Sequence, residues 1–204
     1  MSGSINSQAG GRAKRLERRT LYRGSFLEMT QERVELPNQV TVDLELVRHP
    51  GAAAVVPLGA DGQVVLLRQY RHATDGWLVE VPAGKLDAGE APDVCARREL
   101  AEEAGLAADD LVPLGPFWAS PGFTDEVIHL FLARGLNPTE QQLEADELLH
   151  TFKLPLAEAV ALAARGEIAD GKSACALLRA AWFLGLPPEP ASPSSNPSQK
   201  SRQP

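Results

Sequence analysis

The sequence predicts an α/β chain: a mixed sheet with helices inserted between its strands. Three observations predict it. Short apolar runs bounded by turn residues occur between residues 51 and 81, as AAAVVPL, QVVLLRQY and WLVEV. Longer stretches with helical spacing follow, at Pro92–Ala104, in PLAEAVALAARGEI and in SACALLRAAWFLGL. Ahead of both, residues 16–47 alternate apolar with polar, the pattern of half-exposed antiparallel strands. At 204 residues and 44% hydrophobic, the chain has the length of one domain with a small appendage and the composition for a real core.

Taken in order, residues 1–15 read as a flexible N-terminus, Gly/Ser-rich and then basic, with almost nothing to bury. Residues 16–50 read as a small antiparallel β subdomain, with turns at Gly24 and Pro37-Asn38. In QVTVDLELVRH, Val40, Val42, Leu44 and Leu46 share one face, and Thr41, Asp43 and Glu45 the other. Such a sheet either stands alone or meets a second subunit. Residues 51–186 form the main domain. There GADG is read as a hairpin turn between the first two strands. Pro92 suits a first helical turn and Gly105 a C-terminal cap. DEVIHLFLARGL supplies a further strand before the last two helices. Residues 187–204, rich in Pro and Ser, read as a disordered tail.

The formal charge of -7 and the lack of a long basic run beyond the first twenty residues disfavour nucleic acid as a partner. Two cysteines, Cys95 and Cys175, at no metal-ligand spacing, suit a reducing compartment. No apolar run approaches the length of a membrane span, and the N-terminus has no apolar signal stretch. The expectation is a cytoplasmic protein without a membrane partner.

RRELAEEAGL, Arg97 to Leu106, carries the most chemistry. At about 100° per residue, Val94, Ala96, Arg97, Leu100, Ala101 and Ala104 fall on one side, apolar apart from Arg97. Glu99, Glu102 and Glu103 fall on the other, one turn apart in pairs. Like charges so spaced weaken a helix by a few tenths of a kcal/mol per pair, roughly. A hard cation such as Mg²⁺ or Mn²⁺ removes that penalty, because it prefers oxygen ligands and bridges carboxylates to phosphates. The alternative is a solvated helix face, with Arg98 paired to Glu102. The preceding VPAGKLDAGE, with Gly84 and Gly89, is a loop whose backbone can approach a ligand closely.

Gly84 to Leu106, GKLDAGEAPDVCARRELAEEAGL, resembles the signature of the Nudix hydrolases. That pattern is Gly, five residues, Glu, seven residues, Arg-Glu, an aliphatic residue, any residue, Glu-Glu, any residue, Gly and an aliphatic residue. Gly84, Glu90, Arg98, Glu99, Leu100, Glu102, Glu103, Gly105 and Leu106 fill every fixed position. The resemblance implies an α/β/α sandwich around a mixed sheet, with the small N-terminal β subdomain as a dimer element. It implies that Glu99, Glu102 and Glu103, with the carbonyl of Ala83, hold Mg²⁺ (Mn²⁺ as a substitute), and that Gly84, Glu90, Arg98 and Gly105 order the loop and helix.

Leu66 to Gly84 and SPGFTDE, Ser120 to Glu126, are similar to the ADP-ribose pyrophosphatase branch, in which a proline at the place of Pro121 marks preference for ADP-ribose. One departure stands out: Leu78 and Val79 separate Trp77 from Glu80, where many relatives have an aromatic residue directly before the glutamate. The implied substrate is a small nucleotide, and the implied assembly a homodimer. Arg71, and less so Arg68, are candidate diphosphate contacts; three apart on a strand, they face opposite ways. Glu80 is a candidate for the terminal ribose or the metal shell, or a structural ion pair. Tyr22, Phe26, Trp77, Trp118 and Phe123 are possible ring platforms or core. His72, His129 and His150 show no ligand-like clustering. In that branch a loop glutamate serves as base, which points to NPTEQQLEADELLH: Glu144 first, Glu147 second, with Glu140 also present. Two other readings stand beside ADP-ribose: another nucleotide diphosphatase of the same fold, and an inactive nucleotide sensor.

Overall fold

A computed structural model describes residues 11–186 of the chain. The expectations for residues 1–10 and 187–204 lie outside the described residues. The α/β class with a mixed sheet and an N-terminal antiparallel subdomain is the architecture observed.

The subdomain is a meander of β1 (Lys14–Arg23), β2 (Glu28–Glu35) and β3 (Thr41–Arg48). It begins two residues before the boundary read from the sequence. Every residue of β1 is exposed, and Val40 and Leu44 remain exposed as well. The apolar residues of β3 are therefore only partly covered, with Val42 and Leu46 half-buried. Thr30, Glu32 and Val34 of β2 are buried; Glu32 is 4% exposed and meets Arg48 at 2.7 Å.

The main domain is built on β4 (Ala52–Pro57), buried along its whole length. β4 pairs with β7 (Ala83–Lys85) on one edge and runs parallel to β9 (Val127–Pro138) on the other; β8 (Leu106–Trp118) closes the sheet beyond β9. The second sheet holds β5 (Gln63–Arg71) between β10 (Leu149–Pro155) and β6 (Gly76–Glu80). The GADG turn forms, with Gly59 N bonded to Gln63 O at 2.8 Å, but it does not make the expected hairpin. After one bridge, Leu58 to Val64, β4 and β5 part into different sheets. The reason is that both edges of β4 are already taken.

β8 was not read from the sequence. Pro113 and Pro116 and the Asp109-Asp110 pair break the usual strand pattern, and the strand tolerates them at the sheet edge with a register shift between Pro113 and Gly115.

Period-two alternation along β4 serves two layers. Ala53 and Val55 pack on α1 (Pro92–Ala104) through Cys95, Ala96 and Leu100. Ala52, Ala54 and Val56 join Val64 and Leu66 of the second sheet and Val160 and Leu177 of α2 (Leu156–Ala164) and α3 (Gly171–Phe183). The helix assignment for α1 matches, and Gly105 ends it at φ 63, a left-handed cap. The face assignment needs correction. Val94 is 52% exposed and Arg97 also faces solvent, while Glu99 and Glu103 lie with Cys95, Ala96 and Leu100 on the buried side. The helix is set by what packs on β4, and the strip containing the two glutamates borders that contact.

Candidate active site

The end of β4–β7, the first turns of the loop before α1 and the buried strip of α1 meet at an open cleft of about 550 Å³. Gly84 is where they touch. A Cβ built there would overlap the Glu99 carboxylate, so only glycine leaves that carboxylate its place. One turn along, Glu103 Oε2 accepts from Ala83 N at 2.7 Å. Burial pushes the Glu103 carboxyl up to about 8, helped by the charges of Glu99 and Glu147. Burial also raises the Glu99 carboxyl, against the pull of Arg98.

Arg98 organises the rest. Its guanidinium donates to Glu90 Oε1 at 2.9 Å, Glu99 Oε1 at 2.7 Å, Glu102 Oε2 at 2.9 Å and the Lys85 carbonyl at 3.2 Å. Hydrogen bonding from Arg98 holds the Glu90 carboxyl down at about 2. Glu90 in turn accepts from Asp87 N at 3.0 Å, which fixes the loop ahead of the helix. Beneath it, burial pushes the Cys95 thiol up to about 12, so this cysteine is an inert packing residue.

Arg71 and Lys172 line the same cleft, beside Lys85 and Arg98. Arg71 holds Glu80 through two bonds, Nε to Oε1 at 2.9 Å and a second nitrogen to Oε2 at 2.8 Å. Lys172 Nζ also pairs with Glu80 and reaches Asp170 Oδ2 at 3.0 Å. Burial alone would raise the Glu80 carboxyl; the bonds from Arg71 and Lys172 outweigh it and bring it down.

Of the residues singled out from the sequence, Arg71, Ala83, Gly84, Arg98, Glu99, Glu102, Glu103, Glu144 and Glu147 come together around this cleft. Glu80 lies directly behind Arg71 and Glu90 directly behind Arg98. Gly105 caps α1 away from the cleft mouth. Arg68 is exposed on the other face of β5, and Pro121 is exposed in the loop between β8 and β9; neither is among the residues around the cleft. Of the five aromatic candidates, only Phe26 reaches it, with Lys85 Nζ 5.8 Å from its ring centre. Trp77 instead stacks on His150 with ring centres 5.7 Å apart.

Lys172 was missed. A signal existed: Asp170 caps α3 by accepting from Ser173 N at 3.0 Å, which sets Lys172 in the first turn. A cation there opposes the helix dipole, so something else must hold it. Gln69 was missed too, and no sequence pattern marks it.

The donor set suits a hard divalent cation: three carboxylates, two of them with protonation favoured by burial, beside a polar cleft. Among the described residues no three carboxylate, imidazole or thiol groups already converge as a coordination shell. Arg98 holds Glu99 and Glu102, and Ala83 N holds Glu103, so sharing one ion requires these side chains to turn. The Ala83 atom tied to the carboxylates is its N–H.

Comparison with known proteins places these features. The model of the NUDIX domain matches residues 47–177. An ADP-ribose pyrophosphatase of Bacillus subtilis (strain 168) is 37% identical over 166 residues, 80% of this chain and 90% of that protein. A GDP-mannose pyrophosphatase of Yersinia enterocolitica serotype O:8 / biotype 1B is 36% identical over 148 residues, 68% of this chain and 76% of that protein. A crystal structure of an ADP compounds hydrolase superposes with a TM-score of 0.75 at 24% identity, covering 88% of this chain and 97% of that one, a likeness of fold.

Proposed function

The chain belongs to the Nudix family, and on that premise we propose that it hydrolyses the diphosphate linkage of ADP-ribose to AMP and ribose 5-phosphate with Mg²⁺, or Mn²⁺ in its place. The observation that carries the reading is one cleft lined both by the buried carboxylates of Glu99 and Glu103 and by the cations Arg71 and Lys172. The carboxylates suit a divalent cation, and the arginine and lysine suit phosphate oxygens. ADP-ribose is preferred because similarity to the Bacillus subtilis ADP-ribose pyrophosphatase covers 80% of this chain.

Glu99, Glu102 and Glu103 are the residues that would hold the cation. When bound, Mg²⁺ neutralises diphosphate charge and lowers the pKa of water. Arg71 and Lys172 bind and orient the diphosphate, each held in place by Glu80. Arg98 keeps Glu99, Glu102 and, through Glu90, the loop in register, while Ala83 N holds Glu103. The loop base is Glu147 in this reading, ahead of Glu144. Both border the cleft, but it is the charge of Glu147 that acts on Glu99 and Glu103. Water attacks one phosphorus, its proton passes to the base, and the bridging P–O bond breaks with its electron pair leaving on the other phosphate.

A homodimer through residues 16–50 is part of the proposal, supported by the exposed β1 and the uncovered Val40 and Leu44. Light scattering on the purified chain tests it; a monomer mass removes it.

The deciding experiment is product analysis from ADP-ribose, ADP-glucose, GDP-mannose, NADH, FAD and diadenosine polyphosphates with Mg²⁺ and, in parallel, Mn²⁺. Selective formation of AMP and ribose 5-phosphate is expected. Preference for GDP-mannose or another diphosphate would replace the substrate and leave the chemistry. No turnover of any of them would remove the hydrolase reading in favour of a binding protein.

A further inference from the structure

Two buried side-chain polar atoms lack a hydrogen-bond partner among the described residues, Arg48 Nε and Gln69 Oε1. Arg48 spends its other two nitrogens on Glu32 and Asp125. Gln69 is different. It is 4% exposed, yet it borders the cleft.

Its neighbours explain why no protein group satisfies it. Gln69 stands opposite Leu149 of β10 on one side and Leu78 of β6 on the other. Along β5, Leu67 and Arg71 share its face. Three of these four are leucines, and Arg71 is bound to Glu80. An unpaired buried carbonyl of this kind costs stability and is retained where a ligand completes it.

The register also says what stands nearby. Leu149 faces Gln69, and Tyr70 N bonds Leu148 O at 2.9 Å, so the pairing continues past the end of β10. Glu147 stands two residues before Leu149, in the turn that leads into β10, and borders the same cleft as Gln69.

We propose that Gln69 is a catalytic residue of the hydrolysis, its Oε1 accepting one hydrogen of the attacking water while Glu147 takes the proton from the other. The inference rests on the hydrolase reading above. With both hydrogens engaged, a lone pair of the water is left to point at phosphorus. The new O–P bond forms as the bridging P–O bond breaks, the proton goes to Glu147 and the electron pair leaves with the second phosphate. Gln69 itself neither gains nor loses a proton; it sets the angle of attack.

The test uses Gln69→Met, which keeps length and loses the amide, and Gln69→Leu as a second apolar variant. Steady-state kinetics on ADP-ribose with Mg²⁺ are compared with the parent, and thermal midpoints are taken without substrate. The expectation is a fall in kcat of about a hundredfold with KM little changed. The thermal midpoint should rise by about 2–4 °C, because an unsatisfied buried amide is gone. Unchanged kcat in either folded variant overturns the proposal. So does a raised KM with kcat retained, which would make Gln69 a contact for a substrate hydroxyl. A lowered midpoint in both variants overturns it as well, since the amide would then be structural. A parent enzyme inactive on every diphosphate tested would sink the hydrolase reading and this inference together, whereas an active parent with active variants sinks the inference alone.

Discussion

The Glu99 carboxylate lies where any side chain on Gly84 would have to go. The glycine that opens the signature and the glutamate fifteen residues later are therefore one feature, a backbone cut away so that a carboxylate can sit against it. Gly84→Ala should displace Glu99 and cut kcat by about a hundredfold. Kinetics across an Mg²⁺ titration would check it, and retention of parental activity would mean that Glu99 can sit elsewhere without consequence.

Arg98 pairs with Glu90, Glu99 and Glu102 at once. Arg98→Met should destabilise the fold by about 2–3 kcal/mol, below the value for a fully buried pair because the side chain is partly exposed. Arg98→Lys should recover little, since an ammonium cannot reach all three carboxylates in a planar fork. Urea unfolding measures both. A Lys variant as stable as the parent would show that charge alone matters.

Stability without metal should fall as pH rises from about 4.5 to about 8. Burial raises the Glu103 carboxyl from 4.5 to about 8, so the folded chain holds a proton that the unfolded chain has already released. The contribution is fully present below the unfolded value and is lost as pH passes the folded one. Unfolding midpoints in the presence of chelator should show this slope, and Glu103→Gln should flatten it. An unchanged slope in that variant would assign the effect to another group.

Glu147→Gln should lower kcat by about 10²–10⁴-fold, the usual range for a lost general base, while Glu144→Gln should leave turnover close to the parent. Single-turnover measurements at saturating Mg²⁺ separate the two. The reverse order of effects would return the role to Glu144.

Lys172→Met should raise KM for ADP-ribose more than it lowers kcat, because the role proposed for it is to hold the diphosphate in both ground and transition states. It should also leave Glu80 with Arg71 as its one remaining cation partner. A drop confined to kcat would place Lys172 with the leaving group instead.

The carboxylate-bearing part of the cleft was legible because one local element carries it. A loop and a helix place Gly84, Glu90, Arg98, Glu99, Glu102 and Glu103 by short-range geometry, and short-range geometry is what spacing encodes. Even there, the side of α1 that is buried was misjudged. Counting apolar residues could not show that Gly84 makes room for a carboxylate on the packed side.

The sequence by itself determined the α/β class, the span of α1, the left-handed cap at Gly105 and the family to which the signature belongs, because each depends on residues near one another in the chain. The tertiary structure decided what comes from a distance. It sent β4 and β5 to different sheets, since β7 and β9 already occupy both edges of β4. It carried Lys172 across from α3 to Glu80, ninety-two residues away. It also set Gln69 between two leucines from different strands, leaving its buried Oε1 without a partner among the described residues. Strand order and register fix such meetings, and they answer to how the whole core packs rather than to any local run of residues.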